Sequence, residues 1–150
     1  MNNYATDLSS QFKDKVIIVT GSTQGSGAET AKLLAHRGAK GITICGRKEK
    51  EGLEIKGDIE KIGSECIFIK ADLSKEEDCR HIVNLTDETF GKVNSLINVA
   101  GFTERGTILS TAMENYDMCF NVNTRAPFIL MQDSIKIMIR EKIKGSIERS

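Results

Sequence analysis

The chain has 150 residues, the size of one ordinary domain, and its 21 lysines and arginines equal its 21 aspartates and glutamates. That balance leaves no broad basic footprint for nucleic acid or an anionic membrane, and points to a small-molecule partner. No stretch approaches the roughly 20 apolar residues of a membrane span, and the start Met1-Asn2-Asn3-Tyr4 is not a secretory signal, so the expected setting is cytoplasmic.

Four cysteines, Cys45, Cys66, Cys79 and Cys119, lie far apart with no CxxC pair and no histidines at ligand spacing. Neither a zinc site nor a disulfide framework is supported, and the thiols are expected to be reduced and mostly buried.

From Lys15 onward, short apolar runs alternate with helical periodicity, the pattern of a parallel sheet with crossover helices. The runs are Val16 to Val19, Ile42 to Cys45, Cys66 to Ile69 and Ser95 to Asn98, apolar on both faces as buried parallel strands are. Between the first two, Ala28, Ala31, Leu34 and Ala35 make a narrow helical face that ends at Gly38.

A second helix lies between Lys48 and Ile62, interrupted by Gly52 and Gly57, with Ile55, Ile59 and Ile62 on one face. A third is expected with Ser74 as its cap and Glu77 three residues on, burying Cys79, Ile82, Val83, Thr86 and Phe90. After the fourth strand and a loop come two helical stretches, about Ala112 to Asn121 and about Thr124 to Lys142, with Pro127 in the first turn of the second. No linker, repeat or low-complexity tract divides the chain, so residues 1–150 read as one domain.

The first strand runs directly into Thr20-Gly21-Ser22-Thr23-Gln24-Gly25-Ser26-Gly27, followed by a helix. A dinucleotide pyrophosphate needs backbone N–H donors at close range, and glycine permits that approach. The helix N-terminus behind the loop adds a favourable dipole. The spacing is TGxxxGxG rather than GxGxxG, between a strand and a helix as the mechanism requires.

Further matches follow in order: Asp72 in Ala71-Asp72-Leu73-Ser74, Asn98-Val99-Ala100-Gly101 at the end of the fourth strand, and Val122-Asn123 before the long helix. Together with the glycine loop they make nearly the whole chain resemble the short-chain dehydrogenase/reductase family. The resemblance implies a Rossmann-type doubly wound parallel sheet, order 3-2-1-4, here incomplete because later strands are absent.

It implies a cofactor site made of Gly21, Ser22, Thr23, Gln24, Gly25, Ser26 and Gly27, of Arg47 and Lys48, of Asp72 and Leu73 beside the adenine, and of Asn98, Ala100 and Gly101. Asn98-Val99-Ala100-Gly101 departs from the family's NNAG at Val99. Asn123 corresponds to the family's catalytic asparagine, which supports a water in a proton relay.

Relatives that prefer NAD place an acid at the end of the second strand, where this chain has Gly46, Arg47 and Lys48. A guanidinium binds phosphate in a bidentate fashion, so NADP(H) is expected over NAD(H), although Gln24 stands where many NADP relatives have a basic residue.

The family moves a hydride between the nicotinamide and a carbonyl or alcohol carbon while a tyrosine, helped by a lysine four residues later, moves the proton. No Tyr-x-x-x-Lys exists here: Leu8 follows Tyr4 and Phe120 follows Tyr116 at that spacing, and Tyr116 is expected to serve packing.

The fifth strand should begin at Gly145-Ser146-Ile147, but Glu148-Arg149-Ser150 ends the sequence. The chain therefore reads as a truncated cofactor-binding portion, inactive alone, of an enzyme acting on a small carbonyl or alcohol substrate and forming a homo-oligomer through its long helix.

The expected consequences are a bare edge on the fourth strand and incomplete cover for Ile129, Leu130, Ile135, Met138 and Ile139. A non-catalytic dinucleotide-binding or association protein, or a non-functional product, are the alternatives.

Overall fold

The structure is a computed structural model that describes residues 8–149. A parallel sheet of five strands carries β1 (Val16–Val19), β2 (Gly41–Gly46), β3 (Glu65–Lys70), β4 (Ser95–Asn98) and β5 (Ser146–Arg149) in the order β3-β2-β1-β4-β5. The helices are α1 (Gly25–His36), α2 (Glu49–Ile62), α3 (Glu76–Phe90), α4 (Met113–Phe120) and α5 (Ala126–Arg140). Between α4 and α5, Asn121–Arg125 form a π-turn that joins the two into one continuous rod.

The hydrophobic effect sorts the side chains of each strand to two layers. Ile18 and Leu96 pack with Cys79, Ile82, Val83, Ile129 and Leu130 beneath α3 and α5. Ile17, Val19, Ile42 and Ile44 pack with Ala31, Leu34 and Ile59 beneath α1 and α2. β1 has all four residues fully buried, as a central parallel strand must. Gly52, which weakens α2 in propensity terms, is where that helix meets the Phe68 ring, so its missing side chain permits close packing.

Three expectations need correction. β5 pairs with β4 in the register Ser95↔Ser146 to Asn98↔Arg149, so the edge of β4 is covered and the open edge moves outward by one strand. Ser74 does not cap α3: its backbone N–H and hydroxyl donate to Asp72 Oδ1, and the N-cap position falls to Lys75. The flank of α5 divides, with Ile129, Leu130 and Met138 buried while Ile135 and Ile139 stay exposed.

α5 is tied to α3 by charge as well as by apolar contact. Arg140 grips Asp87 with two N–H···O bonds of 2.8 and 2.7 Å, which hold that carboxyl below the usual aspartate range. Arg80 reaches Asp133 at 2.8 Å and Glu76 at 3.0 Å, and Arg125, the last residue of the π-turn, reaches Glu76 at 2.7 Å.

All four thiols are free. Burial pushes Cys45 and Cys66 up to about 12 and Cys79 up to about 11, whereas Cys119 is only half-buried. Because the thiolate is the reactive form, the folded protein at pH 8 is expected to bind one equivalent of a thiol reagent, at Cys119, and four after denaturation. Mass spectrometry of labelled peptides checks this, and rapid labelling of Cys45 in the folded state would refute the buried β2.

Candidate dinucleotide-binding cleft

A cleft of about 330 Å³ opens at the C-terminal ends of β1, β2, β3 and β4. Ligands gather at that edge in open α/β sheets, because helix N-termini converge there. Its wall includes Gly21, Thr23, Gln24, Gly25, Ser26, Arg47, Asp72, Leu73, Ala100 and Gly101, so most of the expected cofactor residues come together.

The loop between β1 and α1 is nailed in place from both sides. Thr20 Oγ1 accepts from the N–H groups of Val99 and Ala100 at 3.2 Å, which stitches the end of β1 to the end of β4. Ser22 Oγ donates to the Val19 carbonyl at 2.6 Å and accepts from the Cys45 N–H at 3.0 Å, which fixes the loop to β2.

Close approach explains two of the glycines. A Cβ on Gly27 would fall well inside contact distance of the Gly21 carbonyl oxygen, and one on Gly21, at φ +64°, would meet Ala100 Cα at 2.7 Å. Gln24 occupies the N-cap of α1 without capping it through its side chain, and no acid lies in the first turn. The first N–H groups of α1 and its positive dipole end therefore face the cleft unopposed, and this fits an anionic pyrophosphate.

At the far wall, burial disfavours charge on Asp72, but the Ser74 N–H and hydroxyl, Arg47 and Lys75 outweigh it and hold the carboxyl below its ordinary range. The Asp72 N–H is in turn accepted by Asp78 Oδ2 at 2.7 Å. Asp72 is thus an ionised acceptor at neutral pH, facing the cleft.

Several expected residues lie off this wall. Ser22 is fully buried and its hydroxyl is spent on β1 and β2. Lys48 is exposed and donates to Gln24 Oε1 at 2.7 Å, bridging the starts of α2 and α1. Gly27 packs behind the loop. Asn98 and Asn123 line a second cavity, of about 390 Å³, on the α5 side of β4 and β5.

Asn123 sits at the centre of the π-turn, and its amide clamps both backbone groups of one residue: Oδ1 accepts from Phe102 N–H at 2.8 Å and Nδ2 donates to Phe102 O at 2.7 Å. Its side chain therefore holds the segment after Gly101 in place. Tyr116 is half-exposed and packs on Phe120, ring centroids 4.6 Å apart, consistent with a packing role; Tyr4 lies outside the described residues.

Sequence reasoning passed over Ala71, Phe102 and Met118 as lining residues. Met118 and Val122 share a helical face at i and i+4, and the only signal for their place in the wall is that spacing. Among the described residues no cluster of ligating side chains could hold a metal, and no helix is long and apolar enough to cross a membrane.

The family profile described as short chain dehydrogenase matches residues 15–147. An uncharacterized oxidoreductase of Thermotoga maritima is 36% identical over 130 residues, covering 87% of this chain and 51% of that protein. A metagenomic short-chain oxidoreductase in complex with NADP superposes with a TM-score of 0.87 at 26% identity, over 93% of this chain and 63% of the other. An NADH-dependent reductase, A1-R', complexed with NAD gives 0.83 at 25% identity, over 93% and 60%. The chain spans about half the length of the curated relatives it matches. With its five-stranded parallel sheet, its glycine-lined cleft and a match across almost all of its length, the chain belongs to the short-chain dehydrogenase family.

Proposed function

We propose that these residues form the NADP(H)-binding portion of a short-chain oxidoreductase acting on a carbonyl or alcohol substrate. The observation that carries the phosphate form is the end of β2. A side chain on Gly46 would meet Thr23 Cγ2 at 2.6 Å, so no acid fits there without displacing Thr23, while Arg47 stands exposed on the cleft wall. Solved relatives include both NADP and NAD complexes, and the choice for this chain rests on Gly46 and Arg47.

Gly21, Gly25 and Ser26 would hold the pyrophosphate, with Gly27 keeping the loop closed. Asp72 and Leu73 would flank the adenine, and Ala100 and Gly101 the nicotinamide ribose. The cofactor, when bound, supplies hydride chemistry at its nicotinamide ring. Asn123 would act by fixing the Phe102 peptide beside that end of the cleft.

One charge-assisted hydrogen bond contributes roughly 1.5–3 kcal/mol, or about 10- to 100-fold in affinity. Arg47→Ala is therefore expected to weaken NADP⁺ binding at least tenfold and leave NAD⁺ binding within about twofold, measured by fluorescence titration. Equal losses for both nucleotides would assign Arg47 to the loop rather than to the 2′-phosphate.

In a second reading these residues bind the dinucleotide without turning it over. The two readings share one expected result: NADPH is bound and is not oxidised in the presence of simple aldehydes and ketones. Steady oxidation above the protein-free rate would contradict both.

A cytoplasmic setting is supported by the three buried, unpaired thiols. Self-association through the long helical rod is supported by its exposed Tyr116, Phe120, Phe128 and Ile139.

A further inference from the structure

A π-turn is an uncommon helical geometry, and the ladder around it can slip back to the α-helical register unless something holds it. Slippage by one residue would rotate the helix before the turn by about 100° relative to the helix after it. Three residues of the cleft wall depend on the turn staying in place. Met118 and Val122 line the cleft directly, and Asn123 holds Phe102, which lines it too.

The Asn123 amide is one fastening of this turn, and a second lies two residues further on. Arg125 donates through Nη2 to Glu76 Oε2 at 2.7 Å. Glu76 is the first residue of α3, and its other carboxylate oxygen accepts from Arg80 Nε at 3.0 Å. Arg80 in turn reaches Asp133 of α5, whose side chain is only 13% exposed. Two guanidinium groups thus fix the Glu76 carboxylate, and it sits at a helix N-terminus, where negative charge is favoured.

α3 is itself anchored by Cys79, Ile82 and Val83, all fully buried, so Glu76 stands on a rigid element. The same first turn of α3 supplies Asp78 Oδ2 to the Asp72 N–H at 2.7 Å. The start of α3 therefore braces both walls of the cleft: the Asp72 wall through Asp78, and the Phe102 wall through Glu76 and Arg125.

We propose that Glu76 is a positioning residue for the nicotinamide end of the cleft: through Arg125 it keeps the π-turn in register, and the turn places Phe102, Met118 and Val122. The inference rests on the cofactor reading for what that end of the cleft binds, and on the hydrogen-bond chain alone for how the wall is held. Exposed ion pairs are individually weak and are screened by salt, so the expected effects are a few-fold.

The test reads amide hydrogen exchange of the nucleotide-free 150-residue chain by NMR, because the Phe102 N–H is itself the group that Asn123 Oδ1 accepts from. Glu76→Gln and Arg125→Met are each expected to speed exchange at Phe102 by about threefold or more. Ile18, fully buried in the central strand, reports global unfolding and should not change. Arg125→Lys keeps the charge and should recover most of the protection. The double variant should exchange no faster than either single one, because both remove the same interaction.

Affinity is the second readout. Glu76→Gln should weaken NADP⁺ binding by about threefold and leave adenosine 2′,5′-bisphosphate, which lacks the nicotinamide half, unchanged. Unchanged exchange at Phe102 in both single variants would overturn the proposal. Equal acceleration at Phe102 and Ile18 would overturn it as well, and so would equal weakening of the two ligands. An unaltered chain that binds neither ligand would instead overturn the cofactor reading, and exchange at Phe102 would still decide whether Glu76 holds the wall.

Discussion

Gly27→Ala is expected to raise the dissociation constant for NADP⁺ by about 100-fold or more, the largest effect of any single methyl in this chain. The added Cβ would overlap the Gly21 carbonyl oxygen, and that oxygen belongs to a backbone held by Ser22 on one side and Thr20 on the other.

The loop must open at the expense of the N–H groups aimed at the pyrophosphate. Losing two charge-assisted bonds of roughly 1.5–3 kcal/mol each accounts for the predicted weakening. Gly57→Ala provides the control, because nothing lies within 4 Å of a Cβ there and the residue sits in the interior of α2. That variant should bind normally and be slightly more stable. Titration of both variants, with circular dichroism to confirm folding, decides the matter; a folded Gly27→Ala protein binding within threefold of the original would remove the glycine loop from the site.

Leu130→Ala is expected to be the most damaging core truncation. Leu130 is fully buried in the cluster that joins Ile18 and Leu96 of the sheet to Cys79, Ile82 and Val83 of α3. Removing it costs the transfer free energy of the lost carbons plus that of the cavity left behind, about 3–5 kcal/mol.

Domains of this size are stable by about 5–15 kcal/mol, so the thermal midpoint should fall by roughly 10 °C. Ile139→Ser, on the same helix but 72% exposed, should shift it by a degree or two at most. Equal shifts for the two would mean that α5 packs differently from this account.

The strands were the most legible part of the sequence, because a buried parallel strand is an uninterrupted apolar run and needs no partner to be recognised. Val16–Val19 and Ser95–Asn98 form over the expected residues, and β2 and β3 extend the expected runs by one residue at each end.

β5 was only half visible: Gly145-Ser146-Ile147 suggested its start, but Glu148 and Arg149 break the apolar run, and only the ladder to β4 shows that they are strand. The π-turn at Asn121–Arg125 left no trace in the pattern. A shift of one residue in the hydrogen-bond ladder changes no side-chain type, so two helices were expected where one continuous rod is found.

The site was legible where the backbone makes it and less so where side chains choose between partners. The glycine loop, Arg47, Asp72 and Gly101 reach the cleft as their motifs imply. Ser22, Lys48 and Asn98 do not, and in each case the reason is a local relation the motif does not encode: a hydroxyl taken by two strands, an ammonium taken by Gln24, and an amide on the α5 face of β4. Asn123 is where the family pattern puts it, but its amide is a clamp on Phe102.

The central claim is that the cleft between α1 and β4 holds a dinucleotide, and the most direct test is calorimetric titration of the purified 150-residue chain with NADP⁺ and with NAD⁺. The account predicts saturable binding of one nucleotide per chain, at least tenfold tighter for NADP⁺. A folded protein that binds neither would contradict it.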